Sequence, residues 1–295
     1  MITARSLVKH YDRFLALDGI SFDVEAGSIF GVIGHNGAGK TTLLKIMAGL
    51  IAPTSGTLSI NGIDAAARPL ELKKTLGYLP EESRLYETMT VDGYLAFFGE
   101  IYGLDAATIR ARRDELLTSL SLEHEGKKIG ELSKGMKRKV AIARSLMHDP
   151  SMLIYDEPTS GLDPMTSRSV VGYIKKLQGQ GKTIIFSAHN LYQVEEICDA
   201  VMILRRGKAV ACGSMEELRE RFGSISYHVY FRIDDAGALG AVLEYSSHNG
   251  QFLTTARTIP ELNRATELVT ASGGTVERIE SHYPTLEEML VRLGN

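Results

Sequence analysis

The stretch GHNGAGKTT, Gly34 to Thr42, packs four glycine or alanine residues around one lysine and two threonines. Glycines let backbone N–H groups converge on phosphate oxygens without a Cβ in the way. Gly34, Gly39, Lys40 and Thr41 fill the pattern G-x-x-x-x-G-K-[ST], with His35, Asn36, Gly37 and Ala38 inside it and Thr42 after it. In such a loop the lysine neutralises the β- and γ-phosphates and the threonine ligates Mg²⁺. The following helix turns its positive end toward the anion. The alternative is a plain glycine-rich turn, but the apolar run IFGVI before the loop and the helix after it supply the context that the motif requires.

A second element is MLIYDEP, residues 152 to 158. An apolar strand ending in two acids is costly unless the carboxylates have partners. Asp156 is suited to hold Mg²⁺ through water, and Glu157 to polarise an attacking water. Taken alone, the pair could equally cap the turn at Pro158. A third element is ELSKGMKRK, where Ser133 and Gly135 precede a helix. That is an anion-facing arrangement, and it is also an ordinary helix N-cap. His189 follows the strand TIIFSA, where a lone histidine is commonly a satisfied structural residue. Tyr11, taken alone, reads as a hairpin tyrosine.

The elements that must position these residues form an α/β pattern. DGISFDVEAGSIFGVIG alternates and then becomes continuously apolar, as when an exposed antiparallel strand gives way to a buried one. A helix is expected from Lys40 to Leu50, ending near Pro53. GTLSINGIDA reads as a strand and turn. Residues 83 to about 148 read as a helical insertion. In it, Val91, Tyr94, Leu95, Phe98 and Ile101 share one helical face, and two further helices follow. SMLIYDE, TIIFSAH and AVMILRRGKAVACG then return as short strands. The polar segment 219–226 reads as a linker after a first domain of residues 1–218. Residues 227–295 read as a small α+β accessory domain: a strand YHVYFRI, a helix opened by Pro260, a strand GTVERIE, and a helix with Thr285 and Glu288 in capping-box register.

Composition narrows the class. The 295 residues are 44% hydrophobic and 23% charged, with net charge −3. That suits a globular protein with a real core and gives no bulk electrostatic invitation to nucleic acid. Cys198 and Cys212 are not spaced as a metal site, and a reducing cytosol fits them. The N-terminus lacks the apolar core of a secretory signal. No apolar run approaches the roughly 20 residues that cross a bilayer, so work at a membrane would need a spanning partner.

The order of the parts is more specific than any one of them. A phosphate loop is followed by a helical block, LSKG, a strand ending Asp-Glu, SGLD and SAH. In that order, over residues 1 to about 218, the chain resembles the ATP-binding subunit of an ABC transporter. The resemblance implies a P-loop NTPase sheet with an antiparallel β subdomain and a helical subdomain. Gly34 to Thr42 look like its Walker A loop, and Asp156 and Glu157 like its Walker B acids. Leu132 to Met136 look like its signature motif and Ser160 to Asp163 like its D-loop. His189 looks like its switch histidine, and Tyr11 like the aromatic that stacks on adenine. Two such subunits are expected to sandwich two ATP molecules head to tail and to drive an integral membrane permease from the cytoplasmic face. One copy of each motif per chain agrees with this, since a C2 dimer would complete two equivalent sites. Ser133 and Gly135 of one copy would then help to stabilise phosphoryl transfer on the other.

The pattern is broken in places. Glu81 stands where the family usually has glutamine. Glutamate still offers a metal ligand, but it adds negative charge beside phosphates. Lys134 and Met136 alter the signature. Such variants resemble the branch paired with ABC-2-type export permeases. The basic cluster Lys134, Lys137, Arg138 and Lys139 reads as a solvated helix face or a contact with an acidic partner. No aromatics interleave with it, so base stacking is not suggested. Two rival functions are a soluble ATPase acting on ribosomes or DNA and a nucleotide-gated regulatory switch. The chain lacks the tandem motors or coiled-coil insertions that the first resembles, and Glu157 argues against the second.

Overall fold

The computed structural model describes residues 1–222, 225–234, 239, 243–248 and 251–294. The chain divides into two compact units, Met1–Met215 and Glu216–Asn295.

The first unit is built on a six-stranded sheet of order β10-β9-β3-β8-β7-β6. Its strands are β3 (Ile29–Ile33), β6 (Leu76–Leu79), β7 (Met152–Asp156), β8 (Thr183–Ser187), β9 (Ala200–Arg205) and β10 (Lys208–Ser214). All neighbours pair in parallel except β10, which returns antiparallel on β9. Every residue of β3, β7 and β8 is buried. Continuous apolar strands are what a parallel sheet covered on both faces requires. The segment AVMILRRGKAVACG, read as one strand, is the β9–β10 hairpin, turned at Arg206 and Gly207, both with positive φ.

A second, antiparallel sheet has the order β2-β1-β4-β5. It contains β1 (Ile2–Tyr11), β2 (Phe14–Val24), β4 (Ser55–Ile60) and β5 (Ile63–Asp64). Phe22 of β2 stacks on Phe30 of β3 with centroids 5.6 Å apart, joining the two sheets. Helix α1 (Lys40–Met47) buries Leu43, Leu44, Ile46 and Met47 in the same core. It ends before the expected Leu50, because Gly49 takes a left-handed φ of 63°.

Between β6 and β7 lie α3 (Val91–Ile101), α4 (Ala106–Ser119), a 3₁₀ turn (Ile129–Glu131) and α5 (Lys134–Leu146), preceded by α2 (Pro69–Thr75) before β6. Thr90 and Asp105 cap α3 and α4 with side-chain oxygens. The buried stripe of α3 is Val91, Tyr94, Leu95 and Gly99; Ile101, expected on it, is exposed. Ile101 is the last residue of the helix, while Gly99, within it, lets Ile109 approach closely. Helices α6 (Pro164–Gly179) and α7 (Leu191–Ile197) complete this unit.

The second unit contains a four-stranded antiparallel sheet of order β12-β13-β11-β14: β11 (Ser226–Arg232), β12 (Ser246–His248), β13 (Gln251–Ala256) and β14 (Thr275–His282). Helix α9 (Ile259–Ala271) buries Val269 against Phe231 of the sheet. In α10 (Leu286–Gly294) the expected capping box is formed: Glu288 N donates to Thr285 Oγ1, and Thr285 N donates to Glu288 Oε2. The segment expected as a linker is helical over its first four residues, within α8 (Met215–Phe222), and Ser226 already belongs to β11. Leu218 explains the helix: its side chain is buried, and charged residues occupy the outer positions of an amphipathic turn. Positions 223 and 224 of that linker lie outside the described residues.

Candidate active site

The phosphate loop joins β3 to α1. Gly34 has φ 154°, and a Cβ there would meet the Leu204 carbonyl oxygen at 2.3 Å. Gly39 has φ 109°, and a Cβ would meet Ala16 O at 2.8 Å. Only glycine fits either position. Gly39 is the N-cap of α1 and offers no side-chain cap, so the first-turn N–H groups are left for an anion. Lys40 is 6% exposed, and its Nζ donates to Gly34 O at 2.7 Å and to His35 O at 3.4 Å. Both acceptors belong to its own loop. Burial holds the Lys40 ammonium below its ordinary pKa, while Glu157, Asp156 and Glu81 oppose that shift.

The acids stand at the end of β7. Asp156 is 1% exposed and accepts a 2.6 Å hydrogen bond from Ser187 Oγ of β8. The same hydroxyl accepts from Glu157 N at 3.0 Å. Glu157 leaves the strand with φ 48°, a left-handed conformation that is uncommon for a non-glycine residue. Its carboxylate, in a residue 6% exposed, lies 2.6 Å from His189 Nε2. Burial raises the Glu157 carboxyl above the usual carboxylate range, with Glu81 and Asp156 adding; His189 and Lys40 pull it down.

Asn36 to Thr42, Glu81, Glu157 and His189 line a cavity of about 360 Å³ together with Phe14 and Ala16. The loop from strand β3, the Glu81 segment after β6, the acid after β7 and the histidine after β8 therefore converge, all at the C-terminal ends of parallel strands, the usual ligand edge of such sheets. Thr41 is exposed, and Asp156 is buried and not among the lining residues. Thr41, Asp156 and Glu81 offer hydroxyl and carboxylate oxygens, the donor set that suits a hard cation such as Mg²⁺. Among the described residues no group of three or more His, Cys, Asp or Glu could hold a metal unaided. A cation here would share its shell with phosphate and water.

The aromatic at this cavity is Phe14, which is 63% exposed. Tyr11 faces Phe14 across the end of the β1–β2 hairpin, yet Tyr11 is not in the lining. Ser133, Gly135 and Asp163 also lie outside it. Ser133 is exposed at the N-cap of α5, accepting from Met136 N at 3.2 Å. Asp163 caps α6, accepting from Thr166 N at 2.9 Å. A Cβ on Gly135 would meet Thr166 Cγ2 at 3.0 Å, so the two capped helix starts pack side by side.

The basic cluster is not a uniform solvated face. Lys134 is exposed, Lys137 pairs with Glu87 at 2.7 Å, and Lys139 Nζ reaches Ser121 O at 3.4 Å. Arg138 is 7% exposed and turns inward. Helical spacing carried that signal: Arg138, Ala141, Ile142 and Ser145 fall on one face and all are buried. Ser187, inside the SAH segment, is the other residue whose part was missed.

Residues 17–160 match the family model of the ABC transporter. The chain is 39% identical over 207 residues to the ABC transporter ATP-binding protein NatA of Bacillus subtilis, covering 70% of this chain and 84% of that protein. It is 37% identical over 220 residues to Nod factor export ATP-binding protein I of Burkholderia lata, covering 74% and 72%. A solved structure of the ATP binding subunit of an ABC transporter is 33% identical with a TM-score of 0.70, covering 75% of this chain and 93% of that one. With likeness of this degree extending over more than two thirds of its length, the chain belongs to the ABC transporter family, as one of its ATP-binding subunits.

Proposed function

We propose that this ABC-type ATPase works as one half of a head-to-tail homodimer that powers an integral membrane exporter from the cytoplasmic side. The observation that carries the dimer is a separation: Lys40, Glu157 and His189 share one cavity, while Ser133, Gly135 and Asp163 stand outside it. A second copy would present its Ser133 end to the first copy's cavity and receive the same in return. Export is supported by the likeness to the Nod factor export subunit. A separate spanning partner is part of this reading, and it accords with no described helix being long and apolar enough to cross a membrane.

In this reading Gly34 to Thr42 wrap the triphosphate, with Lys40 moving from its own carbonyls onto phosphate oxygens. Thr41 and Glu81 would ligate Mg²⁺, and Asp156 would hold it through water. When bound, the ion and ATP supply a neutralised, reactive γ-phosphoryl group. Glu157 orients the attacking water and accepts its proton, for which its raised pKa suits it. His189 holds Glu157 and contacts the γ-phosphate. Ser133 and Gly135 of the partner copy add donors on the far side, and Asp163 orders the facing loop. Phe14 meets the base at the hairpin end, with Tyr11 beside Phe14 as the lesser contributor.

The test is Glu157→Gln with ATP and Mg²⁺. The variant is expected to bind ATP, to hydrolyse it at least about 10²-fold more slowly than wild type, and to elute as a dimer in size-exclusion chromatography. Equal turnover in the two proteins removes Glu157 from its role. A variant that is loaded with ATP yet monomeric removes the composite site.

A further inference from the structure

Arg138 makes contacts that none of the recognised motifs explains. Its guanidinium is buried, and its five N–H donors meet six acceptors. Nε donates to Pro158 O at 2.8 Å. Nη2 donates to Asp156 O at 3.1 Å and to Glu157 O at 2.7 Å. Nη1 donates to Pro80 O at 2.8 Å, to Glu81 O at 3.0 Å and to Ser83 Oγ at 3.2 Å. One planar fork therefore clamps two loops that enter the cavity from different strands, and five of its six acceptors are backbone carbonyls.

The two loops need a clamp. Glu157 sits at φ 48°; its N–H is held by Ser187, and its carbonyl accepts from Ser160 N at 3.0 Å in the turn that follows. Left-handed non-glycine residues persist where the surroundings over-determine them. Arg138 adds a charged donor to the same Glu157 carbonyl at 2.7 Å and ties that turn to a second element. The Glu81 segment has no regular secondary structure, and Glu81 itself is exposed. Its Pro80 and Glu81 carbonyls are tied to the same guanidinium as the acid segment. A buried charge gains from several strong acceptors, and the rigid fork of arginine can meet five at once where an ammonium cannot.

We propose that Arg138 is a positioning residue for hydrolysis. It fixes the Glu157 carboxylate relative to the Glu81 loop by locking both backbones to α5. This rests on Glu157 acting as the base, and the experiment separates the two claims. ATP binding resides in the Lys40 loop, which Arg138 does not touch, so loss of the clamp acts on turnover rather than on affinity.

The experiment compares wild type, Arg138→Lys, Arg138→Gln, Glu157→Gln and the double variant Arg138→Lys/Glu157→Gln. Each is measured for the Kd of a fluorescent ATP analogue and for kcat and KM. Both Arg138 variants are expected to lose at least about 10-fold in kcat with Kd within about threefold of wild type, and the double variant to hydrolyse at the Glu157→Gln rate, since residues acting as a unit are non-additive. The lysine variant keeps the charge and most of the volume, so it reports on the fork geometry even if the glutamine variant does not fold. Wild-type kcat in Arg138→Lys, a parallel loss of nucleotide binding, or a full extra loss in the double variant would each overturn the proposal. Wild-type turnover in Glu157→Gln would instead overturn the role of Glu157, whatever Arg138 does.

Discussion

His189 Nε2 lies 2.6 Å from Glu157 Oε1, joining the second residue after β8 to the first after β7 in the lining of the phosphate-loop cavity. Glu157 is buried and His189 is half exposed, so the histidine side chain is the movable member of the pair. The contact orients the carboxylate and opposes the rise that burial imposes on its pKa. His189→Ala frees the carboxylate and, in the proposed mechanism, removes a donor from the γ-phosphate. The expected outcome is a fall of about 10²-fold or more in kcat with ATP affinity nearly unchanged. Steady-state phosphate release together with equilibrium binding checks it, and a variant that turns over at the wild-type rate sinks it.

Ser187 is fully buried and joins both acids, donating to Asp156 and accepting from Glu157 N–H. In Ser187→Ala the Asp156 carboxylate loses its 2.6 Å partner inside the protein. A buried acceptor left unsatisfied costs about 1–3 kcal/mol. The variant should unfold at lower denaturant concentration by that margin, with an unchanged m-value, and should need more Mg²⁺ for half-maximal turnover. Unchanged stability and unchanged Mg²⁺ dependence together would show that this hydroxyl does not support Asp156.

The hairpin aromatics make a discriminating pair. Phe14 lines the cavity and Tyr11 does not; instead Lys9 Nζ lies 5.2 Å from the Tyr11 ring centroid. Stacking of a base on an aromatic contributes about 1–3 kcal/mol. Phe14→Ala should therefore raise the Kd for ATP by about 5- to 150-fold, and Tyr11→Ala by less. Titration with a fluorescent ATP analogue decides it, and the reverse order would return the adenine contact to Tyr11.

The sequence was most legible where chemistry constrains residue type at short range. Gly34, Gly39 and Lys40 could be read because a Cβ or a shorter cation would fail there, and the structure shows the close approaches behind that rule. Glu157 and His189 could be read from the apolar strands that end beside them. Arg138 was misread because its neighbours Lys137 and Lys139 hide it in a run of cations; only the helical period separates the inward guanidinium from the outward amines. Ser187 was missed because a serine at a strand end carries no local signal. Its role comes from β7 and β8 lying in register, with Asp156 opposite Ser187. In the second unit, β12 and β13 were not read, although Asn249-Gly250 between them is a strong hairpin dipeptide.

Stability should depend on pH through His148. His148 stacks on Tyr102 with centroids 3.7 Å apart and a 7° interplanar angle, and its Nε2 donates to Leu76 O at 3.1 Å. It thereby ties the end of α3 to β6. Burial is the main cause that holds the imidazole below its ordinary pKa, and nearby Lys182 and Arg112 act in the same direction. The Leu76 carbonyl and Asp149 oppose the shift without reversing it. A histidine whose folded pKa lies below its unfolded value of about 6.5 contributes fully above that value, and the contribution is lost as pH falls toward the folded pKa. The wild-type Tm should therefore drop as pH falls from about 7.5 to about 5, the interval over which an unfolded imidazole gains its proton. His148→Gln keeps a donor for Leu76 O and cannot titrate. It should start less stable at the higher pH, having lost the stacked ring, and the gap to wild type should narrow steadily as pH falls. Scanning calorimetry across that interval is the check, and parallel wild-type and variant curves would show that His148 charges as easily folded as unfolded.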